Sequence, residues 1–441
     1  MTEGRPPASW SLGRRIAFRF LFSYFVLYSF SGTSLIAGLP FGAPLIGKYF
    51  ELWQVVAIWI EKHVLHLGYE IGLEAPGINN TAFGWILMLC SLAVAALAAA
   101  VWSVLDRRRL HYERLHSWLR LGLRLMLAAA MIRYGCIKLI PSQMIAPPPL
   151  GLLTRPVGDF PPYHLLWWFI GSSPNFESFI GFAELLGGVL LLVPRTTLLG
   201  ALVCSGDMLV VFMLNMSYDV SVKIPSLHLL VMSLILLAPD LTRLANVFLF
   251  NRRAEPAAEA PLFARKWLHR IPHVLLFLFG LYAIRSDFAD AAQRYKRFHP
   301  PRPPLYGIWN VEKLTLDGRD VPLYSDPERW RRVRFQVPGA ISIELMTGSG
   351  KSYPLGLDMA RKRMRLGTYR KDSEGNLVQD AQPQKGPGWQ AELTFAEPQP
   401  GVLILDGRLE GRQTRATLRK MALIGNNFGW LGDPLWSALG R

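Results

Sequence analysis

The sequence is short of charge. Only 18% of its 441 residues are Asp, Glu, Lys or Arg, against roughly a quarter in an average soluble domain. The deficit lies in long apolar blocks, and 51% of the chain is hydrophobic. A wholly soluble protein is excluded, and so is disorder over most of the length. Cysteine is scarce as well. Cys90, Cys136 and Cys204 all lie in apolar segments and form no CxxC pair. That excludes a disulfide framework or a cysteine metal site and leaves them as small apolar packers. A phosphate loop, HExxH, GxSxG and a dinucleotide fingerprint are all missing, which removes the common soluble-enzyme classes. Paired histidines within spans are missing too, so haem ligation is not favoured.

What is abundant is apolar sequence of membrane-spanning length. A bilayer crossing needs about 20 apolar residues. Segments near 16–38, 82–104, 121–140, 177–194, 197–215, 225–242 and 271–287 qualify, giving about seven spans. The stretch 45–66 carries Lys48, Glu51, Glu61 and Lys62 at helical spacing, and reads better as a helix in the membrane interface. A soluble amphipathic helix is its plainer alternative. Arg14 and Arg15 precede the first span as in a signal peptide, but no small-residue cleavage site is evident, so the helix reads as retained.

The net charge of +16 clusters between the spans, and no basic stripe alternates with aromatics, so lipid rather than nucleic acid is the expected partner. The 106–120 loop holds five arginines, and the 243–270 loop is also basic. The 141–176 and 216–224 loops hold one basic residue each, Arg155 and Lys223. The positive-inside rule then places the protein in a plasma (inner) membrane with a cytoplasmic N-terminus and an extracytoplasmic C-terminal region. Arg294, Lys296 and Arg297 run against this assignment, because they follow the last span on the expected outer side.

The pattern changes after the proline-rich stretch 297–306. Short runs such as WRRVRFQV, AISIELM and GVLILDG alternate apolar and polar residues, with turn signals between them. About eight short strands are expected over 307–421, forming a small barrel or sandwich. The domains therefore read as 1–105 (N-terminal spans with the interfacial helix), 106–250 (a four-helix core), 251–296 (cytoplasmic linker and last span), the 297–306 linker, the 307–421 β domain and a 422–441 tail. Gly307-x-Trp309 at the first strand resembles a lipocalin-like opening, although a core tryptophan in any β domain would read the same. A lipocalin-like barrel would enclose an apolar cavity.

Ionisable residues inside the spans carry the functional signal, because each costs about 2.5–3.5 kcal/mol at the helix centre and defaults to function. Arg133, Glu184 and Asp207 lie near the expected midplane, with a formal charge of −1 that a proton, a cation or Lys138 would balance. Tyr134 and Lys138 share a helix face, whereas Arg133 and Lys138 are about 140° apart, so Lys138 could snorkel outward instead. Arg133, Tyr134 and Lys138 are the candidate ligand-binding set, and Glu184 and Asp207 the candidate proton-moving pair. Asp219, Lys223 and His228 form a candidate outer mouth. Glycines near Glu184 (Gly181, Gly187, Gly188) and near Asp207 (Gly200, Gly206) allow close helix approach, and helix packing alone would use them in the same way.

RYGCIKLIP (133–141), GDFPPYHLLWWFIGSS (158–173), FAELLGGVLLLVPRTTLLGALV (182–203) and LNMSYDVSVKIPSLHLLVMSLILLAPDLTRL (214–244) together resemble a DoxX-type membrane protein. The resemblance covers about 115–245 and implies a four-helix bundle there. It also implies quinone-linked redox or sulfur chemistry, with a quinone-like or small sulfur ligand near Arg133 and membrane or extracytoplasmic redox proteins as partners. The flanking spans and the β domain depart from the minimal bundle. Three readings stay open: a redox component, a transporter or ligand-binding protein with a midplane site, and a structural protein whose charges lock helices. Enzymatic activity is left undecided by the sequence.

Overall fold

A computed structural model describes residues 9–31, 42–66, 81–144, 149–256, 260–263, 265–324, 326–368, 370–371, 377–378 and 389–422. The 422–441 tail thus lies almost wholly outside the described residues. The chain forms two units, one of residues 1–144 and 161–294, the other of residues 145–160 and 295–441.

The first unit is helical. Its helices are α1 (Leu12–Ser31), α2 (Gly42–Ile60), α3 (Ala82–Leu105), α4 (Glu113–Leu139), α5 (Pro162–Gly171), α6 (Pro174–Leu192), α7 (Thr197–Ser217), α8 (Lys223–Leu237), α9 (Leu241–Phe248) and α10 (Lys266–Phe298). Five helical segments among the described residues are long and apolar enough to cross a membrane: Ala82–Leu105, Glu113–Leu139, Pro174–Leu192, Pro194–Ser217 and Lys223–Phe248. The first and last of the seven expected spans are helical too, but the described part of the first carries Arg14, Arg15 and Arg19. The last carries Arg285, Asp287, Asp290 and Arg294 within a 33-residue helix. The expected interfacial segment is α2 with a π-helical turn, Glu61–Leu65. It buries Phe50, Trp53 and Ala57 and leaves Leu52, Val55, Ile58 and Trp59 exposed.

Glycine sets the spacing of the core helices. A Cβ on Gly181 of α6 would lie 2.2 Å from the backbone nitrogen of Leu139, and one on Gly135 of α4 would lie 2.6 Å from that of Leu185. The α4 and α6 backbones therefore touch, as small residues permit in a lipid environment where apolar burial gives no drive to associate. A Cβ on Gly200 of α7 would lie 2.9 Å from the backbone nitrogen of Leu191, near the end of α6. Arg124 of α4 donates through Nε and Nη2 to the Leu191 carbonyl at 3.0 and 2.8 Å, closing the last turn of α6.

The second unit is a closed antiparallel barrel of eight strands: β1 (Gly307–Leu316), β2 (Trp330–Phe335), β3 (Ala340–Leu345), β4 (Gly350–Asp358), β5 (Arg363–Gly367), β6 (Trp389–Gln399), β7 (Val402–Leu409) and β8 (Arg412–Lys420). β8 pairs with β1, so the sheet closes and neither strand is left as an edge. Of the expected barrel or sandwich, the barrel forms. Alternation sends Trp309, Leu314, Val333, Phe335, Ile341, Ile343, Leu393, Leu403, Leu405 and Leu418 inward, and they fill the interior. Trp309 is buried and donates from Nε1 to the Leu305 carbonyl at 2.9 Å, while the Lys420 ammonium lies 5.5 Å from its ring centroid. The segment 145–160, which the sequence places within the helical core, instead belongs to this unit. There the Leu150 N–H donates to Gln336 Oε1 at 2.9 Å.

Gly181→Ala is expected to destabilise the bundle by roughly 1–3 kcal/mol, because the methyl group meets backbone rather than a movable side chain. Thermal unfolding of detergent-solubilised protein would show a lowered midpoint. Gly206→Ala, where a Cβ meets nothing within 4 Å, should leave the midpoint unchanged or slightly raised.

Candidate functional site

The close crossing of α4 and α6 places Lys138 against Glu184. The ammonium donates to Glu184 Oε1, and both side chains are removed from solvent (Lys138 7%, Glu184 0% exposed). Such a pair holds only if geometry offsets the desolvation of both charges. Lys138 therefore does not snorkel. Its ammonium also lies 5.5 Å from the ring centroid of Tyr134, one helical turn earlier on the same face.

The pair forms part of the wall of a cavity of about 440 Å³ between α4, α5, α6, α7 and α8. The wall is mostly apolar. Leu166, Ile170, Ile180, Met208, Val211 and Leu229 contribute aliphatic surface, and Tyr134, Trp167, Phe169, Phe176, Phe179 and Tyr218 contribute rings. Polarity enters at few points: Lys138, Glu184, Asp207, Gln143, Asn215 and Ser226. Asn215 of α7 donates from Nδ2 to Ser226 Oγ of α8 at 3.0 Å, and the Ser226 hydroxyl donates to the Lys223 carbonyl at 2.9 Å. The acidic residues are different. Glu184 Oε2, Asp207 Oδ2 and Gln143 Oε1 are buried and have no hydrogen-bond partner. An apolar pocket with a few convergent polar groups is the usual form of a small-molecule site.

The positions expected from the sequence divide into two groups. Tyr134, Lys138, Glu184 and Asp207 come together on this cavity. Arg133 does not join them. It is exposed and interacts electrostatically with Asp287 of α10. The reason is helical period: five residues turn the chain through about 140°, so a helix that aims Lys138 inward aims Arg133 away. Asp219 and Lys223 form an ion pair beside the cavity residues Tyr218 and Val222. His228 leaves the expected outer mouth altogether. Buried between α1 and α8, it stacks on Tyr28 at 4.2 Å. It shares a 2.5 Å hydrogen bond between Nε2 and the Tyr24 hydroxyl. Its Nδ1 lies 2.7 Å from the Ile224 carbonyl, so Nδ1 donates there and Nε2 accepts from Tyr24.

Glu177 was not singled out from sequence, yet it is fully buried. Its Oε1 accepts from the Gln143 and Met144 backbone N–H groups at 3.1 and 3.0 Å, and Oε2 has no partner. The signal was present, since Glu177 and Glu184 are seven residues apart and share a face of α6.

A smaller cavity of about 200 Å³ opens at one end of the barrel, over Leu316, Trp330, Ile343 and Leu345. The barrel interior behind it is filled by side chains, unlike the enclosed cavity of the lipocalin-like expectation. Its rim charges are paired: Lys351 Nζ and the Tyr353 hydroxyl each donate to Glu410 at 2.8 Å, and Arg412 donates to Glu328 and Asp317. These bonds, that from Lys351 foremost, hold the Glu410 carboxyl below the usual carboxylate range.

Comparison with known proteins shows similarity to an uncharacterized Bacillus subtilis (strain 168) protein, YwoB. It is 35% identical over 133 residues, which are 30% of this chain and 81% of YwoB. The chain belongs to the YwoB family. No family model matches, and no solved structure matches. Because YwoB is itself uncharacterized, the relationship brings no activity, and the site must be read from its own chemistry.

Lys138→Met would leave Glu184 buried without its counter-charge, and loss of about 3–5 kcal/mol is expected. Lys138→Met with Glu184→Leu should recover most of that loss, and Arg133→Ala should leave the pair unaffected. Unfolding midpoints of the four proteins check this. For Glu410, a lowered folded value means that its stabilising effect is present above the unfolded carboxylate range and fades as pH falls through the folded value. Glu410→Gln should flatten that acid-side decline in barrel stability, read by tryptophan fluorescence between neutral and acid pH.

Proposed function

We propose that this is a DoxX-type integral membrane protein that binds an amphipathic small molecule within its helical bundle. In this reading the ligand's polar end meets Lys138, Glu184 and Asp207 and its apolar body lies among the aromatic residues. One observation carries it: a cavity large enough for a small organic molecule has an apolar wall and buried carboxylate oxygens without partners at its polar end. Buried polar groups in native proteins are nearly always satisfied, so a cluster of exceptions marks a place where something else supplies the hydrogen bonds.

A redox role is the second reading, favoured by Lys138. Its ammonium faces the cavity as a donor, and the carbonyl of a quinone-like headgroup would accept from it, with Glu184 or Asp207 moving the accompanying proton. Redox proteins of the membrane or its outer face are partners in that case. A purely structural role would leave the pocket itself without purpose, although the Lys138–Glu184 pair would still lock α4 to α6.

The chain is further proposed to lie in a plasma (inner) membrane, with its N-terminus cytoplasmic and the β domain outside. Loop charge supports this. Arg294, Lys296 and Arg297, at the end of the long helix α10, run against this assignment.

Ala183→Trp would fill the cavity from α6 while keeping Lys138 and Glu184 themselves. Mass spectrometry of small molecules that copurify with the wild type should show a species absent from the folded Ala183→Trp protein and retained by Arg133→Ala. Identical profiles for all three would refute the binding role and favour the structural one.

A further inference from the structure

The polar end of the cavity has a definite chemical bias. Among the described residues, the buried side-chain oxygens without a donor are Gln143 Oε1, Glu177 Oε2, Glu184 Oε2 and Asp207 Oδ2. Three of these residues line the cavity, and the fourth, Glu177, is bonded to the backbone of two that do. All four atoms are acceptors. The donor among the charged residues lining the cavity, Lys138, is already engaged with Glu184. What is unmet is therefore a demand for donors.

Charge points the same way. One ammonium faces the carboxylates of Glu184 and Asp207, and a low-dielectric wall strengthens the field of the excess negative charge. The rings of Tyr134, Trp167, Phe169, Phe176, Phe179 and Tyr218 add the faces over which a cation is stabilised. An anion would meet the excess carboxylate and no free ammonium, and a ligand with acceptors alone would leave the four oxygens unsatisfied.

We infer that the ligand of this cavity is a cationic, hydrogen-bond-donating amphiphile: a primary or secondary ammonium group on an aromatic or aliphatic body. The inference rests on the cavity being a binding site and goes further, by fixing the sign and donor character of what enters it. The ammonium group reaches Asp207 and Glu184 Oε2, and the apolar body occupies the aromatic part.

Three probes share one ring system and differ at the polar end: 2-(1-naphthyl)ethylammonium, 2-(1-naphthyl)ethanol and 1-naphthylacetate. Binding of each to the full-length protein in nanodiscs, corrected against empty nanodiscs, reads the preference directly. The ammonium is expected to bind at least ten-fold more tightly than the alcohol, and the carboxylate most weakly. Asp207→Asn should reduce the ammonium-to-alcohol ratio to near one while leaving alcohol binding in place, so a folding defect is not mistaken for lost selectivity. Equal binding of the three probes, or preference for the carboxylate, overturns the cationic assignment and leaves the cavity as a binding site. A wild-type ratio that Asp207→Asn does not change overturns it as well. If no probe binds but Ala183→Trp still loses a copurifying molecule, the cationic assignment alone falls. If no probe binds and that variant loses nothing, the binding role falls with it.

Discussion

The Lys138–Glu184 pair is the interaction on which the helical unit depends most. Two charges removed from water are stable only at close range, and close range requires the α4 and α6 backbones to meet. Gly135 and Gly181 permit that meeting: any side chain at either position would intrude on the opposite backbone. The glycines and the ion pair are thus one device. Without the glycines the charges are too far apart to offset their desolvation. Without the charges, the crossing keeps its packing but loses its polar tie.

The same logic extends to the flanking helices. Arg19 of α1 is buried and fully used: its guanidinium donates to Ser103 Oγ at 2.8 Å, to the Asp106 carbonyl at 2.9 Å and to the Tyr112 hydroxyl at 2.7 Å. Tyr112 in turn donates to Asp106 Oδ2 at 2.8 Å. At the other end of α1, Tyr24 and Tyr28 hold His228 of α8. An apolar helix in lipid gains little by burying apolar surface, so polar contacts of this kind specify which face of α1 meets the core. His228 is therefore a fastening between the N-terminal helices and the bundle, and its ring nitrogens are both occupied.

Much of this was legible in the chain. Apolar run length located the five strongest spans, and period-two alternation located the strands from Gly307 to Lys420. Tyr134 and Lys138 were placed on one face by spacing alone, and the glycines beside Glu184 marked a close contact. Depth, however, misdirects when it is the only coordinate. Arg133 sits nearer the expected midplane than Lys138, yet the direction of its side chain excludes it from the cavity. His228 was grouped with Asp219 and Lys223 by proximity in sequence, but a helix turns successive residues to different neighbours, and the partner of His228 came from α1, some two hundred residues away. Glu177 was overlooked because it lies near a helix start, where an acidic residue is ordinary. The grouping of residues 145–160 with the barrel has no local signal, since it depends on a contact between the α4–α5 connection and a strand end far along the chain.

The two units handle polarity in opposite ways, and the contrast identifies the site. The barrel pairs its rim charges, Lys351 with Glu410 and Arg412 with Glu328, around an apolar interior, and its buried Arg329 donates to the Val311 and Glu312 carbonyls. Among the described residues its unmatched buried side-chain atom is a single donor, Arg329 Nε. The helical unit matches its charges nearly everywhere: Arg19 with Tyr112 and Asp106, Arg243 with Asp240, Lys138 with Glu184. Among the described residues its unmatched buried side-chain oxygens are confined to the surroundings of one cavity. A protein that needed charge only to hold helices together would place that charge where partners exist. Glu184 does hold α4, through Oε1, but Oε2 points to no protein donor, and Asp207 on the neighbouring helix repeats the pattern. Two helices converging to present the same unmet acceptor chemistry to the same space is the arrangement of a site built for a third participant.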